Sequence, residues 1–207
     1  SLLGPGYRAV VVVKNGRIVG ETYSDGFSPE TPLLGWSMAK TVTASIIGAL
    51  IEQGKMSRAD SLTKSYPDWS KDDRAKITLE SMLAMSSGLQ WNEGYGSVSD
   101  VTRMLFLSDD MAGFASQFEA EAEVGSEFIY SSGTSTMLAR AWQDVVGEES
   151  LNYPRQQIFG PLGMTSAIME TDADDTFVGS SYMYATARDW ARFGQFLLQR
   201  GAWQGRQ

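Results

Sequence analysis

The chain has 207 residues, 43% of them apolar, and 17 Lys and Arg against 25 Asp and Glu, a formal charge of −8. That length supports one large domain or two small ones around a buried core, and the acidic balance repels phosphate and disfavours nucleic acid as a partner. With neither His nor Cys, the chain contains no Ser-His-Asp triad, no thiol nucleophile, no disulfide and no imidazole or thiolate metal site.

Residues 7–14 hold four consecutive valines, Asn15-Gly16 follows, and residues 17–23 carry Ile18 and Val19. Two β-branched runs across Asn-Gly predict a hairpin, because a type I′ turn needs positive φ at both central positions. Turn-forming residues from Asp25 to Pro32 end it. From Ser37 the apolar spacing becomes helical: Val42, Ile46, Ile47, Ala49, Leu50 and Ile51 recur at threes and fours up to Gly54. This segment is apolar nearly all round, which predicts an interior helix.

Residues 56–175 read as short helices and loops without a strand. Within them lie a helix over 79–87 closed by Gly88, one over 101–107, and one over 134–146 closed by Gly147. Thr186 then opens an amphipathic helix, with Asp189 completing a capping-box variant. Its apolar face is Trp190, Phe193, Gly194 and Leu197, and it stops at Gly201. The pattern predicts a discontinuous α/β domain from residues 1–55 and 176–207, interrupted by a mainly helical domain over 56–175. A two-stranded hairpin is not a stable sheet by itself. A C-terminal segment or a second chain is therefore expected to complete it. The longest apolar runs, residues 9–13 and 46–51, are far shorter than the roughly 18 residues of a membrane span, and no signal peptide is visible at the start.

A hydrolase made of these residues must draw its base from Lys, Tyr, Asp or Glu. Ser37-Met38-Ala39-Lys40 is a Ser-x-x-Lys at the start of the apolar helix. The i, i+3 spacing puts both side chains on one helix face, and the helix N-terminus favours a developing oxyanion. A lysine among apolar neighbours loses hydration, which disfavours its charged form and lets a neutral amine accept the serine proton. The same residues also read as an N-cap serine with a lysine laid along apolar surface. Ser61-Leu62-Thr63-Lys64 repeats the spacing in a polar stretch and reads as a solvated loop or helix cap. Gly35-Trp36-Ser37-Met38-Ala39 misses the Gly-x-Ser-x-Gly elbow by its last residue, and the His that motif requires is absent. Tyr130, in Tyr130-Ser131-Ser132, reads either as a proton shuttle beside a lysine or as a core tyrosine with its hydroxyl satisfied.

Ser37-Met38-Ala39-Lys40, Leu83-Ala84-Met85-Ser86-Ser87-Gly88-Leu89, Tyr130-Ser131-Ser132 and Pro161-Leu162-Gly163-Met164 follow one another in the order found in the serine β-lactamase-like and penicillin-binding-protein-like hydrolases, which the chain resembles from about Gly35 to Gly201. The stretches from Gln90 to Gly96 and from Gly179 to Asp189 are most similar to the branch of 6-aminohexanoate-dimer hydrolases and family VIII esterases. The resemblance implies an α/β (α+β) β-lactamase/transpeptidase-like fold: an antiparallel sheet flanked by helices, incomplete in this chain, plus a helical subdomain. It implies Ser37 as acylated nucleophile, Lys40 as its base, Tyr130 as second acid/base, and Tyr95, Ser132 and Ser181 as substrate-binding residues. No metal or organic cofactor is implied. The partner is a small ester or amide, with no membrane span, and export from a bacterial cytoplasm is the family's common setting.

Ser132 stands where β-lactamases and carboxypeptidases usually have Asn, which argues against efficient penicillin turnover. The family's Lys-Thr-Gly or His-x-Gly strand, source of the second oxyanion N–H, would follow Gln207. This chain alone is accordingly expected to hydrolyse weakly, since one lost oxyanion donor costs roughly 2.7–4 kcal/mol. The function so read is a serine hydrolase acting through an acyl-enzyme. Its alternatives are a β-lactamase or D-Ala-D-Ala carboxypeptidase, and a non-catalytic acylatable sensor or binding domain.

Overall fold

A computed structural model describes residues 4–205. In chain order its strands are β1 (Ala9–Lys14), β2 (Arg17–Tyr23), β3 (Pro32–Leu34), β4 (Ile168–Met169) and β5 (Met183–Thr186). Its helices are α1 (Met38–Glu52), α2 (Leu79–Leu83), α3 (Asp100–Leu107), α4 (Met111–Ser116), α5 (Ser132–Val146), α6 (Gly160–Leu162) and α7 (Ala187–Leu198). They form two compact units. One comprises residues up to Gly35, Asn152–Ile168 and the chain from Met183; the other comprises Trp36–Leu151 and Met169–Tyr182. The sequence groups α1 with the hairpin, whereas its contacts group it with the helical unit.

In the first unit β1 and β2 pair antiparallel, Ala9 opposite Tyr23 and Lys14 opposite Arg17, with a bulge at Val12/Val13. Asn15 and Gly16 both have positive φ, 52° and 72°, as the type I′ turn requires. The strand starts at Ala9 rather than Tyr7, whose ring lies exposed. A second antiparallel pair joins β3 to β5, Pro32 opposite Thr186, and β4 completes its order β3-β5-β4. Two to four residues are too few for a period-2 signal, so the sequence shows none of these three strands. Gly35 ends β3 against the Trp190 ring, where a Cβ would come within 2.2 Å of Cζ2. Thr186 caps α7 through its hydroxyl, which accepts from Asp189 N–H. Asp189 does not close the expected box. Its buried carboxylate accepts instead from Ser166 N–H at 2.9 Å and Ser166 Oγ at 2.6 Å. Phe193 is buried on α7, but Gly194 and Leu197 are exposed, so the apolar face is narrower than the sequence suggests.

The helical unit is built around α5. Ser132 to Ala139, Ala141 and Trp142 are all buried, and their mostly small side chains let α1, α2, α3 and α4 approach. The α1 residues Ala39, Val42, Thr43, Ile46, Ile47 and Leu50 face this core. Thr41, Ala44 and Gly48 remain exposed, so α1 is one-sided where the sequence reads apolar all round. Trp69, Ile77, Leu79, Met82, Met104 and Met137 fill the interior, and Trp142 stacks on Phe177 at 5.6 Å. Two buried polar groups bond to backbone carbonyls: Tyr66 donates to Met137 O and Trp69 Nε1 to Ser116 O.

Helix α2 is shorter than predicted. Met85 enters the left-handed region at φ 54°, and Ser86 N–H bonds back to Ser81 O, closing the helix before Gly88. Ser99 and Thr102 form a capping box for α3, and Gly147, at φ 75°, ends α5. No described helix is long and apolar enough to cross a membrane.

Candidate active site

The site lies within the helical unit, where the start of α1 faces the start of α5. Trp36 has φ 45°, an uncommon conformation for a bulky residue, and turns the chain into α1. Ser37 is the N-cap, but its hydroxyl makes no capping bond. That hydroxyl is exposed and accepts instead from Lys40 Nζ at 3.2 Å, one helical turn on.

Lys40 Nζ makes two further bonds, to Ser132 Oγ at the start of α5 and to the Ser180 carbonyl, both at 3.1 Å. The ring of Tyr130 lies 4.8 Å from the same nitrogen, a cation–π arrangement. The surroundings of Lys40 are thus polar and aromatic, not apolar as the spacing suggests. Three acceptors match the three N–H bonds of an ammonium.

Glycines and tight turns bring these groups together. Gly179 crosses α1 closely: its carbonyl accepts from Thr43 Oγ1 at 2.9 Å, and an added Cβ would lie 2.6 Å from that oxygen. This contact places the next carbonyl, Ser180, over Lys40. Tyr130 is held from the other side. Ile129 N–H bonds to Met85 O at 2.8 Å and Gly125 N–H to Ser86 O. Gly88, at φ 76°, packs where a Cβ would meet Ala122 O at 2.2 Å. The string from Leu83 to Leu89 is therefore a bracket for the tyrosine segment, not a source of reacting groups.

Sequence reading misses Glu93, although it lies between two singled-out residues. Its Oε1 accepts from Ser132 Oγ at 2.5 Å and from Tyr95 OH at 3.3 Å. Its Oε2 accepts from Ser132 N–H at 2.8 Å and Trp91 Nε1 at 2.6 Å. Trp91 packs on Gly133, the second residue of α5, where a Cβ would approach its ring to 2.7 Å. The Trp-x-Glu spacing is the available sequence signal, and it is too short to be distinctive. Tyr95 is half exposed, and partial burial of its hydroxyl, with the Glu93 charge adding, pushes its phenol above the usual range.

Six residues carry the sequence-based expectations for this site, and the structure sorts them. Lys40 contacts both Ser37 and Tyr130, and Tyr95 joins them through Glu93 and Ser132. Ser132 and Ser181 do not present a surface to a substrate. Ser132 is completely buried between Lys40 and Glu93. Ser181 is 1% exposed, with its hydroxyl 2.9 Å from Ser180 Oγ. Both are interior residues in this structure. The second Ser-x-x-Lys behaves as a cap: Ser61 Oγ accepts from Thr63 N–H, and Ser61 and Lys64 are exposed. Among the described residues no group of three or more Asp or Glu gathers to hold a metal.

Residues 7–207 match the family model described as Beta-lactamase. The 6-aminohexanoate-dimer hydrolase of Paenarthrobacter ureafaciens is 24% identical over 95% of this chain and 53% of its own length. A solved structure described as a candidate 6-aminohexanoate-dimer hydrolase from Bacillus anthracis superposes with a TM-score of 0.85 at 25% identity, over 96% of this chain and 55% of that one. The class C β-lactamase of Rhodobacter sphaeroides shares the fold, with a TM-score of 0.70 at 16% identity over 94% of this chain and 61% of its own. The chain spans about half the length of these relatives. Its mixed α/β architecture, with small antiparallel sheets, is that of β-lactamase/transpeptidase-like proteins, consistent with an incomplete sheet. By the match over nearly its whole length, the chain belongs to the β-lactamase family of serine hydrolases.

Proposed function

We propose that this chain carries the nucleophile and base of a serine hydrolase that cleaves an ester or small amide through an acyl-enzyme. The observation that carries the reading is the approach of Lys40 Nζ to Ser37 Oγ, 3.2 Å, with the Tyr130 ring 4.8 Å from the same nitrogen. In the first half-reaction Ser37 Oγ attacks the carbonyl carbon while Lys40, as free amine, takes the hydroxyl proton. Lys40 and Tyr130 return that proton to the leaving alcohol or amine. In the second half the same pair activates water, which releases the acid and restores Ser37. The Ser37 N–H, at the first turn of α1, supports the oxyanion.

Tyr95, half exposed beside Glu93, stands on the substrate side. The amide arm of the proposal draws on the likeness to a 6-aminohexanoate-dimer hydrolase. Ser132 supplies no side-chain amide at the position where lactam hydrolases usually have one, which favours an ester or small amide over a lactam.

The test is to label the full-length protein with a fluorophosphonate and map the adduct, then compare turnover of a p-nitrophenyl ester with turnover of nitrocefin. The proposal expects an adduct on Ser37, its loss in Ser37→Ala, and faster ester than nitrocefin turnover. An adduct that persists in Ser37→Ala overturns it. Nitrocefin turnover equal to that of the ester selects a β-lactamase or carboxypeptidase, and one-equivalent labelling without turnover selects an acylatable binding domain.

A further inference from the structure

We propose that Glu93 is the positioning residue that takes up, through the Ser132 hydroxyl, the proton that Lys40 must shed before it can act as base. The proposal rests on the reading of Ser37 and Lys40 as nucleophile and base, and assigns a role to a carboxylate outside that pair. An ammonium has no lone pair, so Lys40 cannot accept the Ser37 proton until it has lost one of its own. Its three N–H bonds point to Ser37 Oγ, the Ser180 carbonyl and Ser132 Oγ. Ser37 Oγ is the nucleophile itself, and a carbonyl oxygen passes no proton on. Ser132 Oγ does, because its own hydrogen is donated to Glu93 Oε1 at 2.5 Å.

The step balances without any further reactant. An N–H bond of Lys40 breaks and the proton joins Ser132 Oγ. The original Ser132 O–H bond breaks and its proton joins Glu93 Oε1. An ammonium–carboxylate pair becomes an amine–carboxylic acid pair, with the Ser132 hydroxyl regenerated. Ser132, the middle member of the line, is completely buried, while Lys40 and Glu93 at its ends are half-buried. The carboxylate is aimed for this purpose. Trp91 Nε1 and Ser132 N–H both hold Oε2, leaving Oε1 directed at the Ser132 hydroxyl. The other titratable groups around the line are Tyr95 on the Glu93 loop, Tyr130 ahead of α5, and Asp100 on α3. Asp100 accepts from Asn92 N–H and lies 4.0 Å from Arg103.

The experiment compares pH profiles of kcat/KM for a p-nitrophenyl ester in the full-length wild type, Glu93→Gln, Glu93→Asp and Ser132→Ala. An amide cannot take up the proton, so in Glu93→Gln the amine must lose it to solvent base, which becomes more available as pH rises. The expected result is a loss of roughly 10²-fold at neutral pH that shrinks as pH rises, partial rescue by Glu93→Asp, and the same alkaline displacement in Ser132→Ala. Ser132→Ala also keeps the backbone and Trp91 bonds to Glu93, so it carries the test if Glu93→Gln fails to fold. A Glu93→Gln profile parallel to wild type overturns the relay. So does a displacement to lower pH, the sign expected if Glu93 merely stabilises the ammonium. A wild type that never labels at Ser37 overturns the underlying hydrolase reading as well; an active wild type with parallel profiles overturns the relay alone.

Discussion

Lys40 Nζ lies 4.8 Å from the centroid of the Tyr130 ring, over which it sits, so the tyrosine meets Lys40 with its π face. Removing the hydroxyl and removing the ring should therefore have different consequences. Tyr130→Phe keeps the face and should leave the thermal midpoint within about 2 °C of wild type, because the residue is 40% exposed. Ester turnover should fall by roughly 10²–10⁴-fold, the usual worth of a positioned acid/base. Differential scanning fluorimetry and steady-state kinetics on the full-length protein check both. Unchanged turnover would remove Tyr130 from the chemistry.

The two Ser-x-x-Lys copies should separate cleanly. Ser61→Ala removes a cap whose hydroxyl accepts from Thr63 N–H and should cost about 0.5–1 kcal/mol, read as a lower urea midpoint, with labelling by a fluorophosphonate unaltered. Ser37→Ala should abolish labelling with little effect on the urea midpoint, since the Ser37 hydroxyl makes no capping bond.

Gly88→Ala should be among the most damaging small substitutions. The position has φ 76°, and the new methyl would meet Ala122 O at 2.2 Å, so the bracket carrying Met85 and Ser86 has to move. A loss of about 2–4 kcal/mol is expected from left-handed strain plus a backbone clash, measured by urea denaturation. Turnover should fall too, because Ile129 N–H hangs on Met85 O and Tyr130 is the next residue. Normal activity in a destabilised Gly88→Ala protein would disconnect the bracket from the site.

Asp72 supplies a pH test. Hydrogen bonds from the Arg74 guanidinium and backbone hold its carboxyl at about 2, and Arg74 also donates to the carbonyls of Ser116 and Phe118. A depressed carboxylate adds stability above its unfolded value and loses it as pH falls through the folded one. The contribution should thus be complete above about pH 4 and vanish as the pH drops to about 2. Carboxyl-carbon NMR should give a midpoint near 2 for Asp72, returning towards the ordinary 3.8 in Arg74→Ala. A midpoint already near 4 in the wild type would contradict the pairing.

Local order was legible wherever a residue type dictates it. Asn15-Gly16 can make its turn in few ways, so the hairpin follows from two residues. Thr186 and Gly147 mark helix ends because a hydroxyl cap and a positive φ are local requirements. Ser37 and Lys40 share a helix face by periodicity alone. Outside that reach lie the short strands β3, β4 and β5, whose pairing depends on partners far along the chain. The same holds for the exposed side of α1, since the sequence states which residues are apolar but not which of them find a neighbour.

Tertiary structure alone decided the electrostatics of the site. The sequence carries a lysine one turn from a serine; folding brings a buried hydroxyl from α5, a carbonyl at Ser180 and a tyrosine face to the same nitrogen. It also turns Ser132 and Ser181 inward and puts Glu93 at the end of a hydrogen-bonded line. The hydrogen bonds that join Lys40, Glu93, Ser132 and Ser180 span 39 to 140 residues along the chain. The reason is physical: a charged nitrogen responds most to the groups nearest it in space, and periodicity reports only neighbours on the same helix or strand.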